Sequence, residues 1–419
     1  MDRRRFLALA GMPALAMADP LNASAQTYVK LVLAAGRPDP DYVDAYYGPA
    51  AWKESAQREA LTPAAIRSAA QALRGRLTAT SPGTDPLVQL RHRYLLLQTH
   101  SLEKRLELLA GVRMTFDQES QALYDAVAPT LPPGYFEPSL AALQKLIPGT
   151  GPLAERYEAW QNQFIIPAEN LDITFRAAVD EARARTLRHI RLPPAESFTI
   201  EYVKGQVWSA YNWYKGNAHS LIQVNTDLPV EIGNAVTLAS HEGYPGHHVY
   251  NALLEDRLVR QRGWMEFTVY PLYSPQSLIA EGSAEYGVEL AFPAEERIAF
   301  YEKVLFPRAG LPPARAREYQ TVKDTVDKLA HAANQAAREY LDGRIDRTAC
   351  QAYLTHYALL PPARAAQRVR FIDKNRAYVI NYNLGQDLIR AYLQKRGGDR
   401  WSEFEQLLSS PRLPSGLIG

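Results

Sequence analysis

A proline-glycine pair interrupts the richest run of metal-binding side chains in this sequence, His241-Glu242-Gly243-Tyr244-Pro245-Gly246-His247-His248. Proline has no N–H to give to the carbonyl four residues back, here that of His241, and its ring crowds the same turn. A helix carrying His241 must therefore bulge or end at this point. Glycine widens the choice of backbone angles beside it. The interruption decides which histidines can meet. On an unbroken helix His247, six residues after His241, is rotated by roughly 240° to the far face, while His248 faces correctly but lies roughly 10 Å further along the axis. Neither arrangement lets two rings share one ion at about 2 Å each. A helix interrupted between Tyr244 and His247 is expected to bring His247 back towards His241, with His248 as the alternative ligand. The spacing differs from H-E-x-x-H, where two histidines one turn apart hold Zn²⁺ and the intervening Glu is the general base. Histidines capping the carbonyls of a surface helix end are the bland alternative. That reading suits a lone histidine better than a run holding three of the nine in the chain.

Downstream, Ser274-Pro275 is expected to cap a helix running to about Phe292. Glu281, Glu285 and Glu289 follow at intervals of four and so share one face. Like charges so placed repel, and no Lys or Arg stands between Arg262 and Arg297 to relieve them. A solvated acidic face is one resolution, and a bound cation is the other. A Glu oxygen is a normal third ligand for a catalytic Zn²⁺ that has two histidines. Glu281 is the expected ligand, and Glu285, one turn on, is expected to bond a ligating ring and fix its tautomer. Glu242 adjoins a ligand without itself ligating, which suits a general base. Towards the C-terminus, Arg370, Arg376, Tyr378 and Tyr382 crowd one segment. Tyr382 and Arg370 are the candidates for stabilising an oxyanion or holding a substrate carboxylate, although on spacing alone such residues also serve as ordinary core and surface.

The rest of the chain reads as scaffold. Paired prolines such as Pro132-Pro133 and Pro361-Pro362 punctuate helical stretches. Thr62-Pro63 marks a helix start, Thr115 with Gln118 a capping box, and Glu169 to His189 a helix; Tyr319 to Asp342 reads as a long one. Between Phe198 and Val224, β-branched and aromatic residues predict a small antiparallel meander just before the histidines, whose edge could hold an extended peptide. Residues 1–25 read as a signal peptide: Arg3-Arg4-Arg5-Phe6-Leu7 resembles a twin-arginine export signal, followed by an apolar run and two small-residue sites, Ala16-Met17-Ala18 and Ala23-Ser24-Ala25. Residues 26–419 are expected to form one domain, with a helical scaffold lobe over 26–190 and the meander and metal site over 191–419. No stretch reaches about 18 apolar residues in succession, so no permanent membrane span is expected. Lys+Arg 47 against Asp+Glu 45 leaves a net charge of +2, which argues against nucleic acid and for a peptide or small-molecule substrate. Cys350 is the only cysteine, so no internal disulfide can form.

The run His241 to His248 resembles the signature of a large bacterial family known as domain of unknown function 885. The resemblance continues at Glu281-Gly-Ser-Ala-Glu-Tyr286 and Tyr382-Asn-Leu-Gly385 and covers most of the mature chain. That family resembles the mainly helical zinc peptidases whose ligands are two histidines and a downstream Glu. The likeness thus implies a mainly α fold with a large helical metallopeptidase-like body, Zn as cofactor, His241, His247 and Glu281 as ligands and Glu242 as base. Two departures stand out: Ser283 where such sequences usually place Trp, and Arg376-Ala-Tyr-Val379 where P-G-Q-A is usual. The chain is also shorter than typical members, which implies a more open cleft. The expected protein is a periplasmic zinc-dependent hydrolase of peptide bonds. A zinc hydrolase of non-peptide amides or esters and a non-catalytic metal- or peptide-binding protein of the same fold are the alternatives, the second weakened by an intact Glu242.

Overall fold

The computed structural model describes residues 21–206, 208–227 and 229–418. Most of the expected export signal lies outside the described residues, including Ala16-Met17-Ala18. The second small-residue site, Ala23-Ser24-Ala25, belongs to the helix Asn22–Ala35, with Ser24 and Ala25 buried. The fold is mainly α with two small sheets. Helix starts follow local chemistry: Thr62 accepts from the backbone of Ala65 ahead of Pro63–Ala79, and Thr115 and Gln118 bond each other's backbone reciprocally. Ser274 departs from expectation. Its hydroxyl donates to the carbonyl of Pro271 at 2.7 Å, and the helix Pro275–Ala291 starts on its proline alone. The expected long helix over 319–342 is two, Ala316–Asp327 and Ala332–Leu341. Among the described residues no helix is long and apolar enough to cross a membrane.

Buried side chains form two cores, each drawing on both sides of residue 190. The helix Pro275–Ala291 runs between them, with Leu278 in one core and Ile279, Ala280 and Tyr286 in the other. A helix packed on several sides has little room for carboxylates, so those it carries need internal partners. It is crossed by the helix Ile380–Arg396 at a contact only glycine permits. A Cβ on Gly282 would lie 2.3 Å from the carbonyl carbon of Gly385. The crossing therefore sets Glu281 directly against the segment carrying Tyr378 and Tyr382.

The three-stranded sheet corrects the predicted meander. Its order is β2 (Ser197–Val203), β4 (His219–Asn225), β3 (Ala210–Gly216), with β2 parallel to β4 and only β3 antiparallel. β3 and β4 form a hairpin through Asn217 and Ala218, both at positive φ. The chain leaving β2 must pass the end of β4 before β3 begins. The Asn225 side chain holds that crossing by donating to the carbonyls of Gln206 and Trp208 at 3.0 and 3.1 Å. β3 is consequently an edge strand. A second, unpredicted ribbon pairs β1 (Val43–Tyr46) with β5 (Val269–Pro271) antiparallel.

Candidate metal centre

The histidine helix begins regularly at Ile232–Leu238, widens into a π-turn over Ala239–Gly243, stops, and resumes as His247–Leu254. Tyr244 N–H reaches back five residues to Ala239 at 3.0 Å, and Gly246 N–H six residues to Ser240 at 2.9 Å, so the missing proline donor is absorbed by a local widening. Gly246 has φ −77°, an ordinary value; it is glycine because of close approach. A Cβ there would lie 2.0 Å from the His241 carbonyl oxygen.

This interruption sets the His241 and His247 rings 4.6 Å apart and at 89°. Glu281 reaches both: its Oε2 lies 3.3 Å from Nε2 of His241 and 3.7 Å from Nε2 of His247. Donor atoms placed about 2 Å from a tetrahedral ion lie roughly 3.3 Å from one another. Ligand atoms from all three residues fall within 4.8 Å of each other. Oε1 of Glu281 accepts from Tyr378 Oη at 2.8 Å, whereas the buried Oε2 has no hydrogen-bonding partner of its own. Two imidazole nitrogens converging on an unsatisfied carboxylate oxygen form a donor set that fits Zn²⁺.

Electrostatics agree with the geometry. Burial pushes the Glu281 carboxyl upward, yet His247 and His241, close beside it, hold it well below the usual carboxylate range. Burial likewise disfavours charge on His241, but Glu281 and Glu285 more than reverse this, and its pKa is raised. Glu285 Oε1 stands 3.3 Å from His241 Nδ1, so a hydrogen on Nδ1 would leave the Nε2 lone pair facing Glu281. Glu242 is 6% exposed, and burial raises its carboxyl above the ordinary value despite His241 and His247. Among the described residues its carboxylate has no hydrogen-bond partner, although its backbone carbonyl accepts from Asn212 Nδ2 on β3 at 2.6 Å.

His248 lies away from this centre. It is fully buried, with Nδ1 2.9 Å from Ser220 Oγ and Nε2 3.2 Å from Glu196 Oε2. Glu289 is also explained without a cation, because Arg390 of the crossing helix bonds it at 2.8 Å. Tyr382 is half-buried, its ring 6.5 Å from that of His241. Arg370 does not join the site. It is exposed on the helix Pro362–Asn375, and two residues of helix rotate a side chain by roughly 200°. Arg368, two residues earlier on the same helix, is the less exposed of the two, its guanidinium 5.4 Å from the centre of the Phe371 ring, and burial lowers its pKa. Arg376 is held elsewhere, bonding Glu119 at 2.6 Å. Sequence reasoning missed Tyr378 as the partner of Glu281. It also missed Asp44 on β1, which bonds Tyr211 and whose carboxyl is raised to about 7 by burial, with His247 lowering it and Glu281 and Glu242 adding to the rise.

No family model matches the chain, and no curated protein matches it. Among solved structures it is similar to the "putative lipoprotein" from Colwellia psychrerythraea, at 14% identity and a TM-score of 0.53, over 84% of this chain and 65% of that one. It is also similar to the "putative lipoprotein of unknown function" from Shewanella oneidensis, at 11% identity and a TM-score of 0.43, over 88% and 75% of the two chains. The chain thus spans 65% of the length of the Colwellia protein, and the likeness between those two is one of fold.

Proposed function

We propose that this protein is a zinc-dependent hydrolase of peptide bonds. The observation that carries the reading is the convergence of His241, His247 and Glu281 beside Glu242, a buried carboxylate without a hydrogen-bond partner among the described residues. A divalent cation held by the three would supply a Lewis acid and a water acidic enough to lose a proton near neutral pH. Glu242 would act as the general base towards an attacking water and return the proton to the leaving amine, a role that suits a carboxyl whose pKa burial has raised. Tyr382, half-buried beside His241, would donate to the developing oxyanion. β3 is an edge strand linked through Asn212 to Glu242, which suits a substrate held extended by backbone pairing. The resemblance to domain of unknown function 885 supports the same assignment. The arginine-rich start supports export to the periplasm, in keeping with the lipoprotein description of the Colwellia neighbour.

The test is Glu242→Gln in the purified mature protein, with bound zinc and turnover of a peptide panel measured on one preparation. Zinc is expected to stay and turnover to fall by about a hundred- to ten-thousandfold. Full zinc with turnover within about tenfold of the parent refutes the mechanism. Turnover of small amides or esters in place of every peptide refutes the substrate class and leaves the centre intact.

A further inference from the structure

We propose that Glu196 is a positioning residue that fixes the spacing of His241 and His247 by bracing the chain on both sides of the Pro245-Gly246 interruption. The inference rests on the metal reading above. Glu196 lies just before β2, and one of its oxygens, Oε2, accepts from Tyr244 Oη at 2.6 Å and faces His248 Nε2 at 3.2 Å. Tyr244 stands before the break, three residues after His241, and His248 stands after it, next to His247. A single carboxylate oxygen thus closes a bridge over the discontinuity. The other oxygen, Oε1, accepts from Arg183 Nε at 3.1 Å and from its Nη2, which anchors the carboxylate to the helix Leu171–Leu187.

The bridge matters because the backbone supplies little support across the interruption. Pro245 has no N–H, and the bonds from Tyr244 and Gly246 end on Ala239 and Ser240, before His247 is reached. The next backbone bond, Tyr250 to Gly246, already belongs to the resumed helix. Among the described residues no hydrogen bond runs directly from residues 247–249 to residues 239–245. Among the described residues backbone bonds thus join the two helices through Gly246 alone, and Glu196 adds a second tie through side chains. His248 is also held from behind by Ser220 of β4, and its ring packs edge-on against Tyr244 and Phe198 at centroid distances of 5.3 and 5.5 Å.

The network's own geometry excludes the two obvious chemical roles. Ser220 and His248 are fully buried, so this Ser-His-Glu series cannot meet a substrate, and both nitrogens of His248 are engaged, so it cannot ligate. A carboxylate only accepts, so Nε2 of His248 carries the hydrogen and Nδ1 takes the Ser220 hydroxyl. Since metal affinity depends on ligand positions held within a few tenths of an ångström, a loosened bridge should register at the metal before it registers in the fold.

The experiment uses Tyr244→Phe, which removes one donor and keeps the ring, Glu196→Ala, which removes the acceptor, and the double variant. Zinc affinity by chelator competition, the visible spectrum of the Co²⁺-loaded protein and the melting temperature of the metal-free protein are measured on each. Tyr244→Phe is expected to weaken zinc binding about tenfold and to shift the cobalt bands, with the metal-free melting temperature near that of the parent. The double variant is expected to bind zinc no worse than Glu196→Ala, because both changes break the same bridge. Unchanged affinity and spectrum in both single variants of a zinc-binding parent overturns the inference, as does a fall in melting temperature alone. A parent that binds no divalent cation overturns the metal reading itself, and this is seen before any variant is made.

Discussion

Replacing Gly282 by Ala tests whether the helix crossing builds the site. The added Cβ would stand 2.3, 2.5 and 2.6 Å from the carbonyl carbon, Cα and oxygen of Gly385, all backbone atoms that no rotamer change can move. Carbon atoms pack at about 3.5 Å or more, so the helices must part by roughly 1 Å. Overpacking of this kind costs about 1–3 kcal/mol. The same movement would stretch the 2.8 Å bond from Tyr378 to Glu281 towards about 3.8 Å, beyond hydrogen-bonding range. A hydrogen bond to a charged group contributes about 1.5–3 kcal/mol, so a total loss of about 3 kcal/mol or more is expected. Gly75→Ala is the matched control, since it lies within the helix Pro63–Ala79 and its Cβ would meet nothing within 4 Å. That change should stabilise by about 0.5–1 kcal/mol. Urea denaturation of the metal-free proteins and zinc titration of each would measure both effects. If Gly282→Ala behaves like Gly75→Ala in stability and zinc affinity, the crossing does not position Glu281 and the reasoning fails.

Glu281→Gln should abolish most zinc binding, whereas Glu285→Gln should weaken it about ten- to a hundredfold; equal and full zinc content in both variants by metal analysis removes Glu281 from the centre. Arg91→Met should destabilise by about 3–5 kcal/mol in chemical denaturation, because it leaves Glu266, bonded at 2.6 Å and fully buried, without its counter-charge; a loss under about 1 kcal/mol contradicts this. Glu255 accepts from Tyr214, Asn217, Ala218 and Arg260, and these bonds outweigh burial and lower its carboxyl pKa. A lowered folded pKa stabilises above the unfolded carboxylate range, about 4.3, and that contribution is lost as pH falls through the folded value. The stability gap between the parent and Glu255→Gln should therefore narrow on acidification below about pH 4, and a gap that widens contradicts the assignment.

Local covalent chemistry was legible. Pro245 forbids one hydrogen bond, and that single prohibition accounts for the widened turn and for His247, not His248, facing His241. Thr62, Thr115 and Gln118 read correctly for the same reason: each acts within four residues of itself. Strand order does not. The segments of the sheet and the β3–β4 hairpin are visible in composition, but β2 lies on the far side of β4, and the Asn225 bonds that hold the crossing loop reach seventeen and nineteen residues back, beyond any local pattern. Helical phase fails similarly when the inward face is unknown. Arg370 and Arg368 share one helix, and nothing in their spacing says which of the two is the more exposed.

The acidic face on Pro275–Ala291 shows why a correct pattern can carry three different explanations. Repulsion among Glu281, Glu285 and Glu289 is real in sequence, yet each is relieved by a different partner. Arg390, 101 residues away, pairs Glu289; His241 Nδ1 stands beside Glu285; and Glu281 is left with Tyr378 on one oxygen and two histidine nitrogens converging on the other. The absence of Lys and Arg nearby in the chain was thus evidence about two of the three carboxylates and not the third. What separates them is depth: the helix runs between two cores, and its acids become more exposed along it, from 10% at the Glu281 side chain to 30% at Glu285 and 40% at Glu289. Arg390 of the crossing helix reaches the outermost carboxylate, whereas the innermost one meets Tyr378 and the two imidazoles. With no arginine paired to it among the described residues, the Oε2 of Glu281 is left to the two histidine nitrogens, which is the arrangement the metal proposal needs.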